Sequence, residues 1–131
     1  MGIDIFNTTI LYSVVLETRK GLAMNTQYKK GVLELCVLSL LHRRDCYGYE
    51  ISDYLSQHID MADGTVYPIL RKLKSDGLLT TYLQEESGGP PRKYYKLTEL
   101  GREAYQNDRA EYLKFAQSVR TLLEDENDDK K

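Results

Sequence analysis

The chain has 131 residues, 41% of them hydrophobic and 29% charged, with a formal net charge of −2. That length accommodates one domain with a real core and argues against two ordinary ones. The acidic balance excludes a uniformly basic nucleic-acid binder, so any basic footprint has to be local.

Cys36 and Cys46 form no CxxC pair and have no His/Cys cluster around them. Without a secretory signal they read as reduced thiols, not as a disulfide framework. Eleven tyrosines stand against two phenylalanines and no tryptophan. Tyrosine joins a packing ring to a hydroxyl that reaches phosphate, base edge or backbone.

Residues 1–23 support two expectations of equal weight. They form an extra helix or strand against a partner chain, or Met24 is the true start and they are a reading-frame overcall. The apolar stretch Ile10–Leu16 is short and lacks a preceding basic segment, unlike a signal peptide. The run Val32–Leu41, between Lys29-Lys30 and Arg43-Arg44, is half of the roughly 20 residues a bilayer span needs. A soluble, cytoplasmic protein is expected. Lys29-Lys30 reads equally as a phosphate contact or a solvated pair.

From Gly31 to His42 the chain is apolar on nearly every side, with Glu34 and Ser39 the main exceptions. Such a helix is buried on more than one face, and in so small a chain a second subunit is expected to supply part of the cover. A break at Arg43–Cys46 precedes a second helix, Tyr47–His58, with Ile51, Tyr54 and Leu55 on one face. Tyr49 and Tyr54 are expected in the core or an interface.

Val66, Ile69, Leu70 and Leu73 follow the i, i+3, i+4, i+7 spacing of an amphipathic third helix. Gly64, Pro68, Arg71 and Ser75 then point outward, flanked by Tyr67 and Lys74 on one side and Thr65 and Lys72 on the other. Asp63 or Thr65 is expected to cap its start. Pro68 falls in or just after the first turn, where a missing N–H costs little. Gly77 closes the helix as a left-handed residue.

Two β-type runs follow, Leu78–Gln84 and Arg92–Leu97, joined by a Gly- and Pro-rich turn. Tyr94 and Tyr95 alternate faces, leaving open which one packs inward. Thr98 caps a last helix to about Leu123. Along it Tyr105, Asp108, Tyr112, Phe115, Val119 and Leu122 alternate spacings of three and four, the seam of a helix lying on another helix. The acidic end is expected to be disordered.

The element order predicts a mainly α, α+β fold: a winged helix-turn-helix with a C-terminal dimerisation helix. The expected divisions are an N-terminal extension at 1–23, a DNA-binding domain at 24–97, the dimerisation helix at 98–124 and an acidic tail at 125–131. Between Asp63 and Leu97 six Lys/Arg face four Asp/Glu, so charge alone decides nothing.

Four blocks resemble the phenolic-acid-decarboxylase-regulator (PadR) family. They are Tyr47-Gly48-Tyr49-Glu50-Ile51, Gly64-Thr65-Val66-Tyr67-Pro68-Ile69-Leu70-Arg71-Lys72-Leu73, Gly77-Leu78-Leu79, and Gly89-Pro90-Pro91-Arg92-Lys93-Tyr94-Tyr95-Lys96-Leu97-Thr98. They stand in the right order and spacing from about Gln27 to Gly101. The single C-terminal helix resembles the shorter of the family's two architectures. The resemblance implies a homodimeric repressor, often released by a small molecule, with its third helix in the major groove and its wing on adjacent backbone or minor groove.

Candidate DNA contacts are therefore Gly64, Thr65, Tyr67, Pro68, Arg71 and Lys72 on the third helix, and Arg92 and Lys93 on the wing. Gly64 permits close backbone approach, and Arg71 can fork onto guanine or phosphate. The candidate dimer seam is Tyr105, Tyr112, Phe115, Val119 and Leu122. Expected partners are duplex DNA with a palindromic operator, a second copy of the chain, and a flat aromatic effector at the interface. Cys46, beside Arg43 and Arg44, is a candidate oxidant sensor if those cations lower its pKa. His42 and His58 have no ligand-spaced partner, so no metal is expected. No nucleophile, base and orienter set and no phosphate-cradling loop can be assembled, so neither enzyme activity nor a cofactor is expected. The competing function is a winged-helix protein-interaction module that has abandoned DNA.

Overall fold

The structure, a computed structural model, describes residues 26–86 and 88–125. The expectations for residues 1–23 and for the tail from Glu126 lie outside the described residues. The chain divides into two units, Met1–Leu33 and Glu34–Lys131. The described part of the first is only the opening of helix α1, Thr26–Arg43, and the rest of the fold belongs to the second.

Helix α1 starts ahead of Gly31 because Gln27, Lys29 and Lys30 are good helix formers that carry no apolar signal. In its second half Val37, Leu38, Leu40 and Leu41 are buried, and Leu35, Cys36 and Ser39 are half-buried. Burial thus runs round much of the helix.

Where the sequence predicts only a break, Cys46–Tyr47 form a short strand, β1. It pairs antiparallel with the wing, Cys46 opposite Tyr95 and Tyr47 opposite Tyr94. Two residues are too few for an alternating pattern to register, and their partners are remote in sequence. Helix α2 consequently begins at Gly48 and runs to Ser56. It stops before His58 because the chain tightens into i→i+3 bonds, from Gln57 N to Tyr54 O at 3.2 Å and from His58 N to Leu55 O at 3.0 Å. Ile51 and Leu55 are buried, as their shared face requires, whereas Tyr49 is exposed.

Helix α3, Val66–Ser75, buries Val66, Ile69, Leu70 and Leu73. It ends in a full Schellman motif: Gly77 (φ 79°) donates to Lys74 O at 3.0 Å, and Leu78 N donates to Leu73 O at 3.0 Å.

Strands β2 (Leu79–Gln84) and β3 (Arg92–Leu97) complete a three-stranded sheet of order β1-β3-β2. The register pairs Leu79 with Leu97 and Tyr82 with Tyr94. Leu79, Leu97 and Cys46 are buried, so the face they share is the inner one.

Helix α4 spans Glu99–Glu124. Thr98 caps it, its hydroxyl accepting from Gly101 N at 3.0 Å and donating to Gly77 O at 2.7 Å. Thr98 N also donates to Leu78 O at 3.0 Å. Gly101 lies so close to the Leu78 carbonyl that no Cβ would fit. The start of α4 is thereby tied to the residues that end α3. The architecture is the mainly helical, winged helix-turn-helix α+β fold.

Candidate nucleic-acid interface

With four apolar residues turned inward, α3 leaves Gly64, Tyr67, Pro68, Arg71, Lys72 and Lys74 exposed and Thr65 half-buried. Gly64 has a φ of 85° with open space around it. Neither expected side-chain cap is made. Thr65 is itself helical (φ −58°, ψ −34°) and makes no capping hydrogen bond. At Thr65 the reason is a lack of donors. An N-cap oxygen serves the second or third N–H; Tyr67 N is taken by Gly64 O at 3.3 Å, and Pro68 has none.

Tyr67 is 40% exposed, its ring leaning on Gly48. Among the described residues Arg71 has no ion pair. Lys72 differs: its Nζ donates to Glu34 Oε1 at 2.9 Å and to Asp76 Oδ2 at 3.2 Å. Those two bonds, Glu34 first, push its pKa upward. Lys72 is a compensated charge tied toward α1, whereas Arg71 is an open one.

On the wing, Arg92 and Lys93 point to opposite faces of β3. Arg92 shares the outer face with Tyr94 and is held twice. Its guanidinium lies 4.5 Å from the Tyr47 ring centroid, and its Nη1 is 3.5 Å from Glu86 Oε2. Tyr94 is therefore the outward ring and Tyr95 the one on the inner face with Leu97 and Cys46.

Tyr94 stacks on Tyr82 (5.6 Å, 13°) and meets Tyr47 edge-on (5.5 Å, 66°). Its hydroxyl donates to Glu86 Oε1 at 2.6 Å, which pushes its pKa up to about 12. Tyr82 donates to Asp45 Oδ2 at 2.7 Å. This aromatic ladder across three strands was not foreseen. The alternation in β3 carries half of the signal, since Leu97 marks the inner face and excludes Tyr94 from it. Tyr47 needed the unseen strand β1.

Cys46 is no oxidant sensor of the expected kind. It is fully buried, and burial raises its pKa against the smaller lowering by Arg44. Cys36 is also raised by burial, and both thiols are free. No group of His, Cys, Asp or Glu among the described residues is placed to hold a metal. No helix among them is long and apolar enough to cross a membrane.

The seam residues on α4 have unlike surroundings. Tyr105 packs within its own chain, its ring 4.7 Å from that of His42. Tyr112 and Val119 are half-buried, while Phe115 is 59% and Leu122 72% exposed. Leu113 and Leu123, outside the seam read from spacing, are also exposed.

Comparison with known proteins bears on this arrangement. Residues 37–107 match the model of the transcriptional regulator PadR-like family. The transcriptional regulator Rv3488 of Mycobacterium tuberculosis is 30% identical over 94 residues, covering 71% of this chain and 87% of that protein. A PadR-like transcription factor from Bacteroides fragilis is 37% identical, with a TM-score of 0.63, over 74% of this chain and 95% of that one. A PadR-like transcriptional regulator from Bacillus cereus is 34% identical, with a TM-score of 0.68, over 75% and 97%. The fold, the order of the four sequence blocks and these likenesses agree: the chain belongs to the PadR-like family of transcriptional regulators, and is a regulator and not an enzyme.

Proposed function

We propose that the chain is a homodimeric repressor that binds a palindromic operator in duplex DNA and is released by a small aromatic molecule. The observation that carries this is α3, which buries its four apolar residues and leaves Tyr67, Pro68, Arg71 and Lys74 exposed near a wing bearing Arg92 and Lys93. Recognition helices present their N-terminal end to base edges in the major groove. Gly64, Thr65, Tyr67 and Pro68 occupy that end, and Arg71 follows one turn on.

Roles divide by environment. Arg71 is the candidate base reader, while Arg92 and Lys93 are the candidate phosphate contacts. Lys72 joins them by exchanging the carboxylates of Glu34 and Asp76 for a phosphate. Residues 24–97 serve as the DNA-binding part and 98–124 as the dimerisation helix. Tyr105, Tyr112, Phe115, Val119 and Leu122 line the contact between copies. Dimerisation matters because two recognition helices must sit about 34–36 Å apart to reach successive major-groove faces. The apolar α1 and the Tyr- and Phe-bearing α4 support an aromatic effector at the dimer interface.

The test is a mobility shift on the DNA upstream of the gene at two salt concentrations. Arg71→Ala is expected to lose about 1–3 kcal/mol and to relax specificity at one base pair. Loss of Arg92 and Lys93 is expected to flatten the salt slope by about one unit per phosphate contact. No shift at any salt would point instead to a protein-interaction module. A thermal-shift screen of phenolic aromatics that finds no ligand able to release DNA would remove the effector.

A further inference from the structure

Tyr67 of α3 and Arg92 of the wing, both proposed above to meet DNA, rest on two adjacent residues at the start of α2. We propose that Tyr47 and Gly48 form a shared platform that positions Tyr67 and Arg92 for DNA contact, so that both are positioning residues for recognition. This rests on the DNA-binding function proposed above.

Gly48 does not owe its identity to the backbone, since among the described residues the positive-φ glycines are Gly64, Gly77 and Gly88. It owes it to space. A Cβ at Gly48 would lie 2.9 Å from Cε1 of Tyr67 and 3.7 Å from its Cδ1 and Cζ. The first distance is well inside the roughly 3.5–4.0 Å optimum for two carbons, so the ring lies against the bare backbone. Tyr67 is 40% exposed, so a methyl group there moves the ring and leaves the core alone. Among the described residues the Tyr67 hydroxyl has no hydrogen-bond partner, which leaves it available to a phosphate or base edge.

Tyr47 supports the other element. Arg92 lies over its ring at 4.5 Å, and stacking fixes the plane of the guanidinium, whose Nη1 is 3.5 Å from Glu86 Oε2 and would exchange that carboxylate for a phosphate. The ring is in turn braced edge-on by Tyr94. The backbone beneath is pinned from two sides. Strand pairing holds Cys46 and Tyr47 to Tyr95 and Tyr94, and Tyr47 N donates to Glu50 Oε1 at 3.1 Å. A rigid two-residue step thus sets the attitude of one side chain from the recognition helix and one from the wing.

The experiment is a pair of double-mutant cycles on the full chain, reading affinity for the upstream DNA and the urea midpoint. Gly48→Ala is expected to weaken binding about three- to tenfold, the worth of one neutral hydrogen bond, at a nearly unchanged midpoint. In a Tyr67→Ala background it should cost nothing further, because the ring it displaces is gone. Tyr47→Leu is expected to weaken binding about two- to fivefold through loss of the cation–π contact. That penalty should vanish in an Arg92→Ala background, and Tyr47→Phe should keep wild-type affinity. Penalties that persist undiminished in both double variants, with the wild type binding normally, overturn the platform alone. A wild-type chain that never shifts the DNA overturns the DNA-binding function and the platform together. Should Gly48→Ala fail to fold, the Tyr47 cycle decides by itself.

Discussion

Helix α3 has 10 residues and buries four apolar side chains, whereas α4 has 26 residues and buries only Gly101. The two helices were equally clear as amphipathic patterns. In α3 the apolar face is satisfied by the chain's own α2 and sheet. In α4 the far half presents Leu113, Phe115, Leu122 and Leu123 to solvent. Apolar surface left in water costs about 25 cal/mol per Å², and Phe115 and Leu122, which share one face, give the pattern of a surface that another molecule covers. One helix is written for folding and the other, as proposed above, for association.

Changes in the two regions should therefore separate cleanly. The largest loss of fold stability is expected from Leu70→Ala, at a side chain with 0% exposure. Truncation of a buried leucine costs about 2–5 kcal/mol, read from the urea midpoint and independent of protein concentration. Gly101→Ala, at the joint between the regions, should cost about 1–3 kcal/mol by overpacking, because the Leu78 carbonyl beside it is backbone and cannot swing away. Phe115→Glu should change the unfolding of the winged-helix part by about 0.5 kcal/mol or less, yet halve the mass in sedimentation. A dimer that survives it would move the interface to α1 or residues 1–23 and break the comparison.

The smallest effect concerns Tyr94. Its pKa is raised from 10 to about 12 when folded, so folding favours the neutral phenol. The associated stability is fully present below pH 10, the unfolded value, and is lost as pH rises through about 12. Comparing tyrosinate absorbance and unfolding between wild type and Tyr94→Phe across that window should show one late-titrating ring missing. Identical curves would remove the Glu86 bond as the cause.

How much of this was legible in the chain depends on how local each feature is. The inward face of α3, the bounds of β3, the Gly77 stop and the Thr98 cap depend on neighbours within a turn or two, and all were readable. Strand β1 and the ladder of Tyr47, Tyr94 and Tyr82 depend on pairings across the sheet and were not. The same holds for Lys72, whose partner Glu34 is 38 positions away. The missing cap on α3 was legible in principle, because Pro68 removes the N–H that a cap at Thr65 would need. The Cys46 thiol was misjudged because nearby arginines are visible in a sequence and burial is not.

The joint made by Gly77, Leu78, Thr98 and Gly101 has a mechanical consequence. Two hydrogen bonds, from Thr98 to the carbonyls of Gly77 and Leu78, and a close glycine contact clamp the end of α3 to the start of α4. A helix of 26 residues is about 39 Å long. A tilt of about 10° at such a clamp sweeps its far end through about 7 Å, the length following from the rise per residue. The helix is therefore a lever with its fulcrum beside α3. Torque applied anywhere along the arm reaches α3 as a change of angle, without any molecule having to touch α3 itself.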